Sequence, residues 1–399
     1  MSTLRFQILN NSGAGYRLVL SLFVLLVAAG LVAAHYMESR GHQVTGMDNQ
    51  IVWGLPHVFA VYLILAASGA LNAASVSSVF GRTDFSPLTR LSGLLAITLL
   101  VGGLAVLVLD LGRPDRLIVA MTHYNFKSVF AWNIFLYTGF VVVVIGYLWM
   151  MMEPRMNRYT KQIGLLALCW RFVLTSGTGA IFGFLVAREA YDTAIMAPLF
   201  IVMSLAQGTA VFLLVSTAVF HWAGYQPAAG LVTKLRRLLV IFILVVLCLV
   251  VLYHLTNLYI AQHHGVERFI LLDGGVYTVL FWGVQVIGGS LLPVWLFLSP
   301  RFSGRGPTVI AALLVVLGGL AQLYVIIIGG QAYPLNIMPG YRLQSGFLDG
   351  VVAHYAPSLP ELALGLGGVG LAGLLAVLAL RVLPFLPTAI PTTSSVSKR

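Results

Sequence analysis

The sequence predicts an all-α membrane protein of about ten transmembrane helices, and three observations carry that reading. Hydrophobic residues fill 59% of the 399 positions and charged residues only 9%. No soluble fold of this size hides so much apolar surface in one core. The apolar residues also fall in continuous runs of about 20, the length a helix needs to cross hydrocarbon. Those runs lack the apolar–polar alternation expected of strands in a membrane barrel.

The runs lie at roughly 17–37, 53–80, 88–111, 128–152, 161–187, 196–222, 234–262, 277–299, 307–330 and 360–383. The first has basic flanks at Arg5 and Arg17. It exceeds the roughly 7–15 residues of a signal-peptide core and lacks a clear cleavage box, so it reads as a retained helix. The second opens on Trp53, Pro56 and His57 and carries Asn72 about four turns deeper. The third ends at Asp110, where a Gly-Arg-Pro turn follows, and Ser128 to Trp132 open the fourth. The fifth holds Arg171 and closes on Arg188, Glu189, Tyr191 and Asp192. The seventh carries Tyr253, His254, Asn257 and Gln262 near one end, while Gln285 and Gln322 lie deeper in the eighth and ninth.

Loop charge predicts the orientation. With the N-terminus inside, 15 Lys and Arg fall on the inner side and 7 in the outer loops; Arg171 lies within a span. The positive-inside rule then places both termini, including a tail at 384–399, in the cytoplasm of a bacterial inner membrane. The net charge of +11 is largely this bias and gives no reason to invoke nucleic acid. The loop 112–127 breaks the rule, with Arg113, Arg116 and Lys127 on the outer side. Charge set so tightly against a membrane helix reads as a functional site.

Cys169 and Cys248 sit in apolar spans without a CxxC or CxxCH context. They cannot hold an iron–sulfur cluster, which needs about four thiolates, or attach a c-type haem. Of nine histidines, only His221 maps to an inner helix end. The others crowd the outer side, which suits proton exchange with that compartment. His42, His263, His264 and His354 read as solvated loop residues, whereas His57 and His254 lie inside apolar runs. His254 and Asn257 share a helix face. A single such polar group most often only glues helices together. As a set they outline an outward-facing pocket.

A faint internal echo supports two halves. AASGALNAASVSSVF (66–80) resembles AQGTAVFLLVSTAVF (206–220), and THYNFKSVFAWN (122–133) loosely resembles GGVYTVLFWGVQ (274–285). The expected division is one four-helix bundle over 53–187 and a second over 196–330, with the first and tenth spans peripheral, all within one integral membrane domain.

Three segments then carry a resemblance. WGLPHVFAVYLILAASGALN (53–72), the LDLGRPDR turn ending at Arg116 and SVFAWN (128–133) are similar to the NrfD/PsrC family of quinone-interacting membrane subunits. MDNQIVWGLPH and LDLGRPDRLIVAMT resemble most the branch found in dissimilatory sulfur-metabolism complexes. The resemblance implies a protein that is catalytic only within its complex, has no prosthetic group of its own, and binds exchangeable menaquinone or ubiquinone. It implies an outer, ferredoxin-like iron–sulfur partner, with clusters in partner subunits only. Further partners would be a haem-b membrane protein, a cytosolic iron–sulfur subunit and a multihaem cytochrome c. His57 matches the family position near the quinone headgroup, and Asp110, Arg113 and Pro114 match the adjoining turn. The mid-membrane acids common in the family are here mainly amides and hydroxyls.

The chemistry expected on that basis needs an oriented headgroup, proton acceptors and a short electron path. His57 would bond a quinone carbonyl or accept the quinol proton. Asp110, paired with Arg113 or Arg116, would pass it outward, with Glu189 and Asp192 as other exits. Trp53, Tyr124, Phe126 and Trp132 would wall the headgroup; Asn72, His254 and Asn257 complete the expected quinone set. Arg113, Arg116 and Lys127 would favour an acidic partner surface. Two other classes share some features: a secondary transporter, whose site belongs nearer the midplane, and a b-haem cytochrome, with His57 and His254 as axial ligands.

Overall fold

The computed structural model describes residues 5–10, 13–224, 229–335 and 350–388. Among the described residues, ten helices are long and apolar enough to cross a membrane: Ala14–Arg40, Leu55–Ser78, Thr83–Leu109, Val129–Met152, Pro154–Gly183, Met196–Trp222, Gly230–Tyr259, Val276–Leu298, Arg305–Ala332 and Leu359–Val382, here spans 1 to 10. The protein is a multi-pass, all-α integral membrane protein. Phe6–Gln7 pairs antiparallel with Leu386–Pro387, which ties the two ends of the chain together on one face. The last part of the expected tail, 389–399, lies outside the described residues.

Span 2 is the hub. Its apolar window is wholly buried, because spans 3, 5, 6, 9 and 10 all pack on it. Span 10 lies against spans 2 and 3, and span 1, the least buried, lies outside span 10. Spans 4 and 5 pack together, and span 5 reaches span 6; span 6 in turn packs on 7 and 9, and span 8 on 9. In hydrocarbon, association rests on close backbone approach rather than on water release. Gly69 and Gly208 show this: a Cβ on either would overlap the other's backbone, so spans 2 and 6 cross with main chains touching.

Just beyond that crossing, span 2 is interrupted at Leu71. The break frees carbonyls in the membrane interior, where each needs a donor. Arg171 of span 5 supplies one, donating to Ser68 O at 3.0 Å and to Asn72 Oδ1 at 2.8 Å. Ser92 Oγ donates to Ala70 O, and Asn72 Nδ2 donates to Thr209 Oγ1 at 2.8 Å. The buried arginine therefore caps a broken helix. Spans 8 and 9 depart from regular α geometry, with π-helical stretches at Leu280–Leu291 and Val325–Gly329. Such widened turns often mark functional sites.

Candidate functional site

Spans 2 and 3 are antiparallel neighbours, so the start of one meets the end of the other. His57 lies on the first turn of span 2, and Asp110 caps the end of span 3. His57 Nδ1 stands 2.8 Å from Asp110 Oδ2, with side chains 22% and 1% exposed. Despite that approach, among the described residues neither carboxylate oxygen nor Nδ1 makes a well-aligned hydrogen bond. The contact is a charge approach that leaves the acceptor capacity of Asp110 unspent. A buried acceptor left so is costly, so the site is complete only with a further polar group. With Nδ1 turned to Asp110, Nε2 is the imidazole nitrogen left for a ligand.

The expected pairing of Asp110 with Arg113 or Arg116 is corrected. Gly112, at φ +64°, swings the backbone away just after Asp110. Arg113 then finds a nearer partner, donating through Nε and Nη2 to Asp115 at 3.1 and 3.0 Å on the surface. Arg116 is exposed. The space beside the turn is taken by His42, whose Nε2 would stand 3.0 Å from a Cβ on Gly112. Far from being simply solvated, His42 keeps a buried Nδ1 that has no partner among the described residues.

Trp53 stacks on His57 with ring centroids 6.1 Å apart, and Phe130 and Phe182 pack on Trp53 at 6.0 and 5.6 Å. A remote side chain holds Trp53 in place. Gln331, at the end of span 9, accepts from the Val52 and Trp53 N–H groups at 3.0 Å and donates to Trp53 O at 2.9 Å. It pairs with this segment as a neighbouring strand would. Arg188 cross-links the same layer, donating to Gln331 O and Gln50 O at 2.8 and 2.6 Å. The start of span 2 is strapped as well, since Leu55 N donates to Tyr355 Oη, which donates to the buried Glu361. Burial and the Glu361 bond push the Tyr355 hydroxyl far up, so it stays a donor.

Other expected residues lie elsewhere. Tyr124, Phe126, Trp132 and Phe135 stack on one another in a separate, largely exposed group, and Trp132 Nε1 donates to Phe126 O. The wall of Trp53 comes from Phe130 and Phe182 instead. Lys127 is exposed on the same loop. Asn72 lies about 22 Å along the helix from His57, by rise per residue, and belongs to the Arg171 cap. Glu189 is half-buried; burial, and then its charge, push the neighbouring Tyr333 hydroxyl up.

A second histidine–carboxylate pair occupies the other half. His254 Nδ1 stands 2.6 Å from Glu267 Oε2, and Asn257 Nδ2 donates to Glu267 Oε1 at 2.8 Å. His263 Nδ1 bonds Asn257 Oδ1 at 3.2 Å. Glu267 is fully buried and well supplied with partners. His57 and His254 thus each engage a carboxylate of their own.

A comparison with known families now bears on this geometry: residues 43–334 match the family described as polysulphide reductase, NrfD. The chain belongs to the NrfD family. Among its relatives, this NrfD-family chain is 28% identical over 345 residues to the Hdr-like menaquinol oxidoreductase integral membrane subunit of Archaeoglobus fulgidus, covering 85% of this chain and 86% of that one. It is 26% identical to the putative dimethyl sulfoxide reductase membrane subunit of Halobacterium salinarum, over 92% and 91% of the two proteins. The NrfD protein of Escherichia coli is 28% identical over 321 residues, covering 70% of this chain and 95% of that one.

Sequence reasoning missed Glu267, Gln331, Phe130, Phe182 and the role of Arg171. Arg171 carried a signal, as a cation in mid-span is rare enough to demand a partner. Glu267 sits in the short HHGVER segment between apolar spans, and its burial follows from the apolar Val266, Phe269 and Ile270 around it. Gln331 carried none, because its partners lie some 278 residues away.

Proposed function

We propose that this chain is the quinone-interacting membrane subunit of a multi-subunit redox complex, and that the His57–Asp110 pair is its quinol site. One observation carries the reading: a buried carboxylate, close to a partly open imidazole, has unspent acceptors beside an aromatic wall in an NrfD-family protein. Membership supports the class of partner; the pair supports the place. The menaquinol named for the Archaeoglobus relative favours menaquinone over ubiquinone.

Quinol oxidation releases two electrons and two protons. His57 Nε2 accepts the two hydroxyl protons one after the other, and Asp110 stabilises the imidazolium through Nδ1 each time. Each proton then leaves past the Gly112 turn and His42, with Glu189 and Asp192 as more distant exits. Trp53 holds the ring plane. An apolar cleft lined by Leu109, Val106, Leu31 and Leu364, beside Asp110, suits an isoprenoid tail. Electrons pass to an iron–sulfur protein docked on the same face, where Arg113, Arg116 and Lys127 favour an acidic surface. By positive-inside charge that face is periplasmic. The likeness of MDNQIVWGLPH and LDLGRPDRLIVAMT to DsrP points to a complex of dissimilatory sulfur metabolism, with a DsrO-like partner. The internal echo between 66–80 and 206–220 favours a division into two four-helix units, spans 2–5 and 6–9.

The test is quinol oxidation by the purified complex carrying His57→Ala or Asp110→Asn. Turnover should fall by about 10²–10⁴-fold, the usual loss for a general base. Complexes that assemble normally and turn over at the wild-type rate would move the site to His254 and Asn257.

A further inference from the structure

The second half of the bundle contains polar space that the quinol reading does not use. A cleft among spans 6 to 9 is lined by Tyr253, His254, Gln285 and Gln322, with Phe281 and Val325. A second cleft adjoins it, sharing Gln285 and Gln322 and adding Gln207 and Ser290. Both have room for water. Gln207 Oε1 and Gln322 Nε2 are buried and find no partner among the described residues. Unpaired amide atoms in hydrocarbon are costly, whereas ordered water bonds just such groups. The π-helical turns of spans 8 and 9 widen the bundle at this level.

The space has one titratable end. There Glu267 faces His254 directly, and Asn257 links it to His263. The Tyr253 hydroxyl, packed beside them, is committed to Ala190 O. Arg268 is turned away to Asp273 on the surface. From this end, Gln285 and Gln322 lie about 14 and 15 Å along their helices, near the middle of the hydrocarbon. Beyond Ser290 the buried residues include the apolar Phe212, Leu239, Ala311 and Ala312, while the polar Ser216 and Arg236 are bonded to backbone carbonyls.

We infer that spans 6 to 9 enclose a water-filled inlet that opens on the His57 face, ends in mid-membrane, and carries one exchangeable proton on the Glu267–His254 pair. Its ligands are water and the proton. It is a blind inlet, not a channel, because the apolar layer closes it from the opposite face. The inference rests on quinone binding at the His57–Asp110 pair, since a headgroup on His254 would fill the mouth of the inlet.

Silver ions test it, since they travel through water and react with thiols. Cysteine replaces Gln285, Gln322 or, as a control in the apolar layer, Ala312, in a protein with Cys169→Ser and Cys248→Ser. Sealed vesicles of either orientation are treated, the face being identified with Asp115→Cys. Later maleimide labelling of the Gln285→Cys and Gln322→Cys proteins should be lost only when silver meets the His57 face, and never for Ala312→Cys. Protection from both sides, or reaction from both, overturns the inlet. Infrared difference spectra of the whole complex between mildly acid and mildly alkaline pH read the proton. Both Glu267 oxygens accept, so the proton sits on the His254 imidazole. An imidazolium band present in the wild type should be lost in His254→Gln, and identical spectra for the two proteins overturn the proton site.

Discussion

The two histidine–carboxylate pairs are built from the same parts and differ in how well they are satisfied. Glu267 is fully buried, takes a donor on each oxygen, and has Asn257 and His263 as a second layer. Asp110 is equally shielded, yet its oxygens lack aligned donors among the described residues and the His57 imidazole is 22% exposed beside Trp53. In a low-dielectric interior, a satisfied network is rigid and an unsatisfied one is costly. A fold that keeps the costly arrangement at a surface-accessible helix end has left room for a polar ligand. The closed pair suits holding a proton; the open pair suits meeting a substrate.

The largest expected effect breaks that contrast at its open end. Asp110→Asn keeps shape and removes charge, so it should lower quinol turnover by about 10²–10⁴-fold while changing quinol affinity far less. Glu267→Gln in the same assay should leave turnover within a few-fold of wild type. Equal losses for both would erase the distinction between the pairs.

A smaller effect sharpens the comparison by loosening the wall instead of the base. Gln331→Leu removes three hydrogen bonds to the Val52–Trp53 segment. At about 0.5–1.5 kcal/mol each, and with non-additivity, KM for quinol should rise roughly tenfold with kcat less affected. Stopped assays across quinol concentration read the split; a pure kcat loss would contradict it.

These effects also show what the amino-acid pattern revealed. Runs near 196–222 and 360–383 became Met196–Trp222 and Leu359–Val382, because hydrocarbon thickness sets helix length directly. His57 and Asp110 stood out as polar groups at the ends of apolar runs. Their pairing did not, since it arises where two antiparallel helices meet, 53 residues apart. Local charge spacing suggested Arg113 for Asp110, but the left-handed Gly112 turned that arginine to Asp115. Asn72 shared a helix with His57, yet helical rise separated them by most of the hydrocarbon. The break at Leu71 and the π-helical turns come from packing between spans, which hydropathy does not record.

Docking gives a weaker effect. Arg116→Glu combined with Lys127→Glu should reduce retention of an acidic partner, and wild-type retention should itself fall as salt rises, because exposed charges are screened beyond roughly 10 Å at 0.1 M. Retention unchanged across a salt series would remove the basic loop from the interface.

The smallest effect concerns Asp115. The Arg113 guanidinium bonded to it holds its carboxyl below the usual carboxylate range. Its contribution to stability is thus present above the unfolded-state pKa and lost as pH falls through the lower folded one. Both groups are fully exposed, so Asp115→Asn should leave the melting temperature at neutral pH almost unchanged. A large shift would mean that the 112–127 loop is tied into the core.

The most direct measurement is a structure of the complex with a tight quinol-analogue inhibitor bound. The headgroup should lie within hydrogen-bond distance of His57 Nε2, against Trp53 and beside Asp110. A headgroup seated instead on His254, with the His57–Asp110 pair empty, would contradict the assignment.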